Sequence, residues 1–120
     1  FDRFLIKDNH LKEVSPGEAV RRAKGKNVNK VPIEIELASA DQIEEAITAG
    51  ADILLLDNFS PKGLKKAVKQ VVRRAKVEAS GGITLENVVD YAKTGVDFIS
   101  IGALTHSAPA VDLSLEIEST

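Results

Sequence analysis

The sequence predicts an α/β fold in which strands and helices alternate around a parallel sheet. Short apolar runs recur along the chain: "RFLIKD" at 3–8, "VPIEIEL" at 31–37, "ADILLLD" at 51–57, "AKVEAS" at 75–80 and "DFISIG" at 97–102. Between them, apolar residues repeat at helical spacing, as in Ile43, Ala46 and Ile47, or Leu64, Ala67, Val68 and Val71. The links are short. Each strand–helix–strand unit is therefore expected to be a right-handed crossover between parallel neighbours. Two architectures satisfy this rhythm. One is part of a TIM-like (β/α) barrel, and the other is an open α/β sheet.

The helix starts are marked in order. Ser15-Pro16-Gly17-Glu18 reads as a capping box with proline at the first helical position. Ser39 with Gln42 reads as a second box, and Ser60-Pro61 as a third cap. Thr84, with Glu86 in the first turn, reads as a fourth. Gly25, Gly50 and Gly95 are the expected left-handed stops. The helices are thus predicted over 16–24, 40–49, 61–74 and 85–94. A last stretch, "VDLSLEIE" at 111–118, alternates as an edge or antiparallel strand does. No internal repeat is strong enough to use, and no low-complexity linker is present.

Composition narrows the function. The 120 residues are 43% hydrophobic and 28% charged, as in a globular chain with a modest core. The net charge is −2, with 16 basic residues mixed among 18 acidic ones, which argues against a nucleic-acid surface. No apolar run approaches a membrane span, and zero cysteines exclude a disulfide framework. No signal-peptide pattern appears, so a cytoplasmic location is expected. The chain has no methionine and starts at Phe1, so it is expected to be a fragment, a processed product or the tail of a longer protein.

Strand parity then locates the chemistry. Side chains alternate along a strand, so Leu5 and Lys7 share a face. So do Glu34 and Glu36, Leu55 and Asp57, Glu78 and Ser80, and Phe98, Ser100 and Gly102. Unpaired buried carboxylates are costly. A barrel would instead gather Lys7, Glu36, Asp57, Glu78 and Ser80 at its C-terminal mouth, where barrel active sites lie. Three acids near one lysine leave surplus negative charge. That surplus suggests a divalent cation, magnesium rather than zinc, or cations from outside the chain. "SGGIT" at 80–84 is a glycine-rich turn before a helix, of the kind that presents backbone N–H groups to phosphate. Gly102 in "SIGAL" ends the next strand where backbone can approach a ligand. His10 follows the first strand at the mouth and is a candidate for substrate contact. His106 reads as structural or interfacial. "KKAVKQVVRR" at 65–74 is an ordinary amphipathic helix with a solvated face.

Taken together, "LIKDNH", "IEIEL", "GADILLLDNFSP", "VEASGGITLENV" and "YAKTGVDFISIGALTHSAPAVDLSL" resemble the C-terminal half of the quinolinate phosphoribosyltransferases (nicotinate-nucleotide pyrophosphorylases, carboxylating). The resemblance runs from about residue 3 to 117. It implies a glycosyltransferase of NAD biosynthesis. Such an enzyme converts quinolinate and 5-phosphoribosyl 1-pyrophosphate to nicotinate mononucleotide, carbon dioxide and pyrophosphate, with Mg2+. It also implies a partial barrel over 1–110 and a strand over 111–120 that pairs with an N-terminal domain or another chain. A homo-oligomer, dimer or higher, is expected. Lys7 matches a lysine that binds the quinolinate carboxylate. Glu36 and Asp57 match acids beside the ribose and the metal-pyrophosphate. Ser80, Gly81, Gly102 and Ala103 match loops that hold phosphate. The family's further arginines, a histidine and a second lysine lie upstream of the matched segment, so the isolated chain is expected to be inactive. The alternatives are a related nicotinate-type transferase and a non-catalytic fragment with residual phosphate binding.

Overall fold

A computed structural model describes residues 2–8 and 13–101. Five strands, β1 (Phe4–Ile6), β2 (Ile33–Leu37), β3 (Ile53–Asp57), β4 (Lys76–Ser80) and β5 (Phe98–Ile99), form one parallel sheet. The helices are α1 (Pro16–Lys26), α2 (Ile43–Ala49), α3 (Pro61–Val71) and α4 (Val88–Ala92). The strand order follows the chain order, β1-β2-β3-β4-β5, without reversal. A doubly wound sheet reverses at a switch point and carries helices on both faces. This sheet winds one way, as a barrel does, and among the described residues it remains open between β1 and β5.

The core sits on one face. Phe4, Ile6, Ile33, Ile35, Leu37, Leu54, Leu56, Val77 and Ala79 pack there against Val20 of α1, Ile43 and Ala46 of α2, and Leu64 and Val71 of α3. The strand residues between these belong to the other face. Register sets Leu5 beside Glu34, Glu36 beside Leu55, Leu55 beside Glu78, and Asp57 beside Ser80. The alternation read from the sequence is therefore the alternation in the sheet.

Several boundaries differ from the sequence expectation. Gly25 lies inside α1, which runs to Lys26 and is capped by Asn27. Asn27 holds the following turn through bonds to both backbone groups of Val31. The Ser15 box is half formed. Ser15 Oγ accepts the Glu18 N–H at 3.2 Å, but the Glu18 carboxylate turns to Arg21 and Arg22. Glu45 of α2 instead accepts the Gly17 N–H at 2.8 Å, so one helix caps another. Ser39 caps a single 3₁₀ turn, Ala40–Gln42, ahead of α2. Ser60 caps α3 through the Gly63 N–H at 3.0 Å, and Gly50 closes α2 with φ +108°, both as expected. α3 stops at Val71 because Val72 and Arg73 turn left-handed.

A device absent from the sequence reading repeats at the foot of two strands. In "GADIL" and "GVDFI" an aspartate follows a left-handed glycine by two residues. Asp52 Oδ2 accepts the Ile33 N–H, and Asp97 Oδ2 accepts the Val77 N–H, both at 2.8 Å. The same aspartates donate their own N–H to Ile33 O at 2.9 Å and Val77 O at 2.8 Å. Each strand is thus locked to its predecessor at its N-terminal end.

A buried ion cluster on the helix-free face shows that this face is concave. Arg3, just before β1, makes ion pairs with Glu34 of β2 and with Glu78 of β4, the latter at 2.9 Å. Ser100 adds a hydroxyl donor to Glu78 Oε2 at 2.8 Å. Strands lie about 4.8 Å apart, so β1 and β4 of a flat sheet would stand about 14 Å apart. Side chains rise roughly perpendicular to a sheet. Arg3 reaches Glu78 only because the sheet curls toward this face. Arg3, Glu34 and Glu78 are 6%, 0% and 3% exposed. Two carboxylates share one guanidinium, and among the described residues no donor makes a hydrogen bond of ordinary geometry to either Glu34 oxygen.

Burial pushes the Glu34 carboxyl well above the usual carboxylate range, and the adjacent Glu78 pushes it further; Arg3 only partly opposes this. The folded state therefore keeps a proton that the unfolded state releases. Stability falls as pH rises from the ordinary carboxylate range into the alkaline range. Glu34→Gln is expected to remove that fall: its melting temperature should exceed the parent's at about pH 8 and not at about pH 5. Parallel melting curves for the two proteins across that range would contradict this assignment. Asp52→Ala should lower unfolding free energy by about 1–2 kcal/mol in urea, since it leaves the Ile33 N–H without its charged acceptor. Asp52→Asn should recover part of the loss.

Candidate functional site

The concave face carries polar residues in two steps along its strands. The deeper step is Glu34 and Glu78, clamped by Arg3. Two residues further along the same strands stand Glu36 and Ser80. With Lys7 after β1 and Asp57 ending β3, they form the C-terminal mouth. All four are half-buried, so each is held by the sheet and open to solvent.

Hydrogen bonds knit the mouth. Glu36 Oε1 accepts the Asp8 N–H at 3.0 Å, tying the chain after Lys7 to β2. Asp57 Oδ1 accepts the Ser80 hydroxyl at 2.8 Å, and Oδ2 accepts the Asn58 amide at 3.2 Å. Asn58 has φ +61° and donates its N–H to Ser80 O at 3.0 Å. Gly81 then passes directly over Asn58. A Cβ there would stand 2.4 Å from Asn58 Oδ1 and 2.8 Å from its backbone nitrogen, and φ is +88°. Both close approach and conformation require glycine at 81. The mouth of β3 and β4 is thus one rigid unit of Asp57, Asn58, Ser80 and Gly81.

Two expectations change. Glu78 was expected at the mouth with Glu36 and Asp57. It lies one step deeper, engaged with Arg3 and Ser100. The glycine-rich turn was expected to feed a helix over 85–94. Instead Asn87 Oδ1 accepts the Thr84 N–H and its amide donates to Gly82 O, which closes a separate turn. α4 begins only at Val88 and spans five residues. Any anion here would meet the turn's backbone rather than a helix end. Arg3 was not among the expected site residues, although the parity of "RFLIK" puts it on the face of Lys7. His10, Gly102, Ala103, His106 and the strand expected over 111–118 lie outside the described residues.

Among the described residues no three acidic or imidazole groups converge as a metal cage. Magnesium is commonly held by one or two carboxylates together with water and substrate phosphate oxygens. Glu36 and Asp57, on adjacent strands at the mouth, fit that partial role. A groove at the opposite, N-terminal end of the strands is lined by Lys30, Asp52, Arg73, Lys76 and Asp97 and holds none of the mouth residues. No helix among the described residues is long and apolar enough to cross a membrane.

The chain matches the family described as quinolinate phosphoribosyl transferase, C-terminal domain, over residues 1–116. A probable nicotinate-nucleotide pyrophosphorylase [carboxylating] of Methanocaldococcus jannaschii is 44% identical over 97% of this chain and 44% of its own length. The Homo sapiens nicotinate-nucleotide pyrophosphorylase [carboxylating] is 40% identical over 94% of this chain and 39% of its own. The structure of the nicotinate-nucleotide pyrophosphorylase from Francisella tularensis superposes with a TM-score of 0.77 at 41% identity, over 87% of this chain and 36% of that one. The chain spans less than half the length of these relatives. A parallel sheet wound as a barrel arc, a polar mouth at its C-terminal end and a match along almost its whole length place this chain in the quinolinate phosphoribosyltransferase family, as its C-terminal domain.

Proposed function

We propose that this chain forms the barrel part of a transferase that joins quinolinate to the ribose of 5-phosphoribosyl 1-pyrophosphate, releasing pyrophosphate and carbon dioxide and leaving nicotinate mononucleotide. The observation that supports it most is the mouth itself. One lysine, two half-exposed carboxylates and a rigid Ser80–Gly81 turn stand at the C-terminal strand ends of a chain that matches this family over residues 1–116.

The residues suit the chemistry. Departure of pyrophosphate from the anomeric carbon leaves positive charge on the ribose ring. A carboxylate fixed beside the ring stabilises that charge without reorganising. Asp57 is fixed in this sense, because Ser80 and Asn58 hold its two oxygens. Glu36 is fixed by the Asp8 N–H. Lys7 supplies a point charge for a carboxylate of the aromatic substrate and orients it toward the ribose. The backbone at Gly81, together with Gly102 and Ala103, is assigned to the 5′-phosphate, and His10 to the aromatic substrate. Glu36 and Asp57 would hold magnesium together with pyrophosphate oxygens, and the ion would supply charge neutralisation of the leaving group. Homo-oligomerisation and a cytoplasmic setting belong to the same proposal.

A second reading is favoured by the chain's span of roughly two fifths of its relatives. In that reading the 120 residues alone bind phosphate but do not turn over. Assaying the chain alone, and beside a full-length transferase carrying this segment, separates the two.

In the full-length transferase, Glu36→Gln and Asp57→Asn should each lower kcat by about 100-fold while changing unfolding free energy by less than about 1 kcal/mol. Lys7→Met should raise KM for quinolinate by about tenfold or more and leave KM for the ribosyl donor nearly unchanged, as expected for loss of one charged contact. Normal turnover in both acid variants would overturn their assignment.

A further inference from the structure

We propose that Arg3, Glu34 and Glu78 are positioning residues, forming a charged chord across the concave face that sets the arc of the sheet and thereby the spacing of Lys7, Glu36 and Asp57. This deepens the transferase reading and rests on it.

Three observations carry the inference. First, the contact joins strands that share no ladder. β1 pairs with β2 and β4 pairs with β3 and β5, yet Arg3 meets Glu78 at 2.9 Å. A contact that skips two intervening strands constrains curvature, which ladder bonds leave soft. Second, each member shares a strand with a mouth residue or adjoins that strand. Arg3 lies four residues before Lys7, Glu34 two before Glu36, and Glu78 two before Ser80, whose hydroxyl is bonded to Asp57. A strand transmits a shift of its foot to its end, so the chord fixes three mouth groups at once. Third, burial alone does not call for charge here. An apolar trio of similar volume fills such a layer at equal or better stability. Charges with donors and acceptors add what apolar contacts lack, a defined length and direction. Ser100 extends the same anchoring to the chain after β5.

The test removes all three polar groups together, so that no charge is left buried alone. The triple variant Arg3→Met, Glu34→Leu, Glu78→Leu is compared with the parent in two ways. The chain has no cysteine, so Arg22→Cys on α1 and Lys66→Cys on α3, both exposed, accept spin labels uniquely. Flattening the sheet brings helices on its convex side together. The inter-label distance distribution should broaden toward shorter distances in the triple variant. In the full-length transferase, kcat corrected for folded fraction should fall at least tenfold while the melting temperature is retained. An unchanged distance distribution overturns the chord. A changed distribution with turnover within twofold of the parent overturns its positioning role. If the triple variant does not fold, Glu78→Gln beside Glu34→Gln decides the matter. Only the former weakens the long contact, and only it should alter the distances. Absence of turnover in the unsubstituted full-length protein refutes the transferase reading, while the distance measurement still decides the chord.

Discussion

The guanidinium of Arg3 is the constraint on which the rest of the structure depends. It stands at the start of β1 and reaches a carboxylate on β4, and a flat sheet does not allow that. Once the sheet is curved, the other features follow. The helices occupy the convex face, where there is room for them, and their apolar residues meet Ile33, Ile35, Leu54, Leu56 and Val77. The concave face is left with the alternate residues, apolar at Leu5, Ile53 and Leu55 and charged at Glu34, Glu36 and Glu78. Desolvating two carboxylates and a guanidinium is costly, and their mutual attraction repays it only with good geometry. The cluster is one positive charge against two negative ones, so the proton held by Glu34 completes the balance.

Above this buried layer the mouth has a different character. Its groups are half-buried, and Glu36, Asp57 and Ser80 are tied by hydrogen bonds to backbone or neighbouring side chains. Asp57 is the centre, with Ser80 on one oxygen and Asn58 on the other. The left-handed Asn58 and Gly81 exist to let β3 and β4 end against each other at that point. The division is physical. The deep layer holds shape, and the upper layer offers charge to a ligand. Both come from the same strands, two residues apart.

Much of this was legible in the sequence, because strand parity is a strict rule. "IEIEL" alternates, so its acids had to leave the apolar core, and "LLLDN", "VEAS" and "FISIG" obey the same pattern. Helix caps at Ser60 and Gly50 were legible for the same reason, since local chemistry decides them. What escaped depends on depth and on partners distant in sequence. Parity gives the face of Glu78 but not how far down the face it lies, and its partner, Arg3, is 75 residues away. The paired Gly-x-Asp feet of β3 and β5 were short enough to pass as no repeat. Gly25 reads as a helix stop, but the helix runs through it to Lys26 and Asn27 closes it. Thr84 looked like a helix start, but Asn87 bonds back to it and delays α4.

The most direct test of the curved, clamped sheet is a double-mutant cycle between Arg3 and Glu78, measured by urea unfolding of Arg3→Met, Glu78→Leu and the pair. Residues in contact couple, whereas residues more than about 10 Å apart add within about 0.5 kcal/mol. The clamped arc predicts a coupling free energy of at least about 1.5 kcal/mol. Additivity within about 0.5 kcal/mol would mean that β1 and β4 do not meet across the concave face.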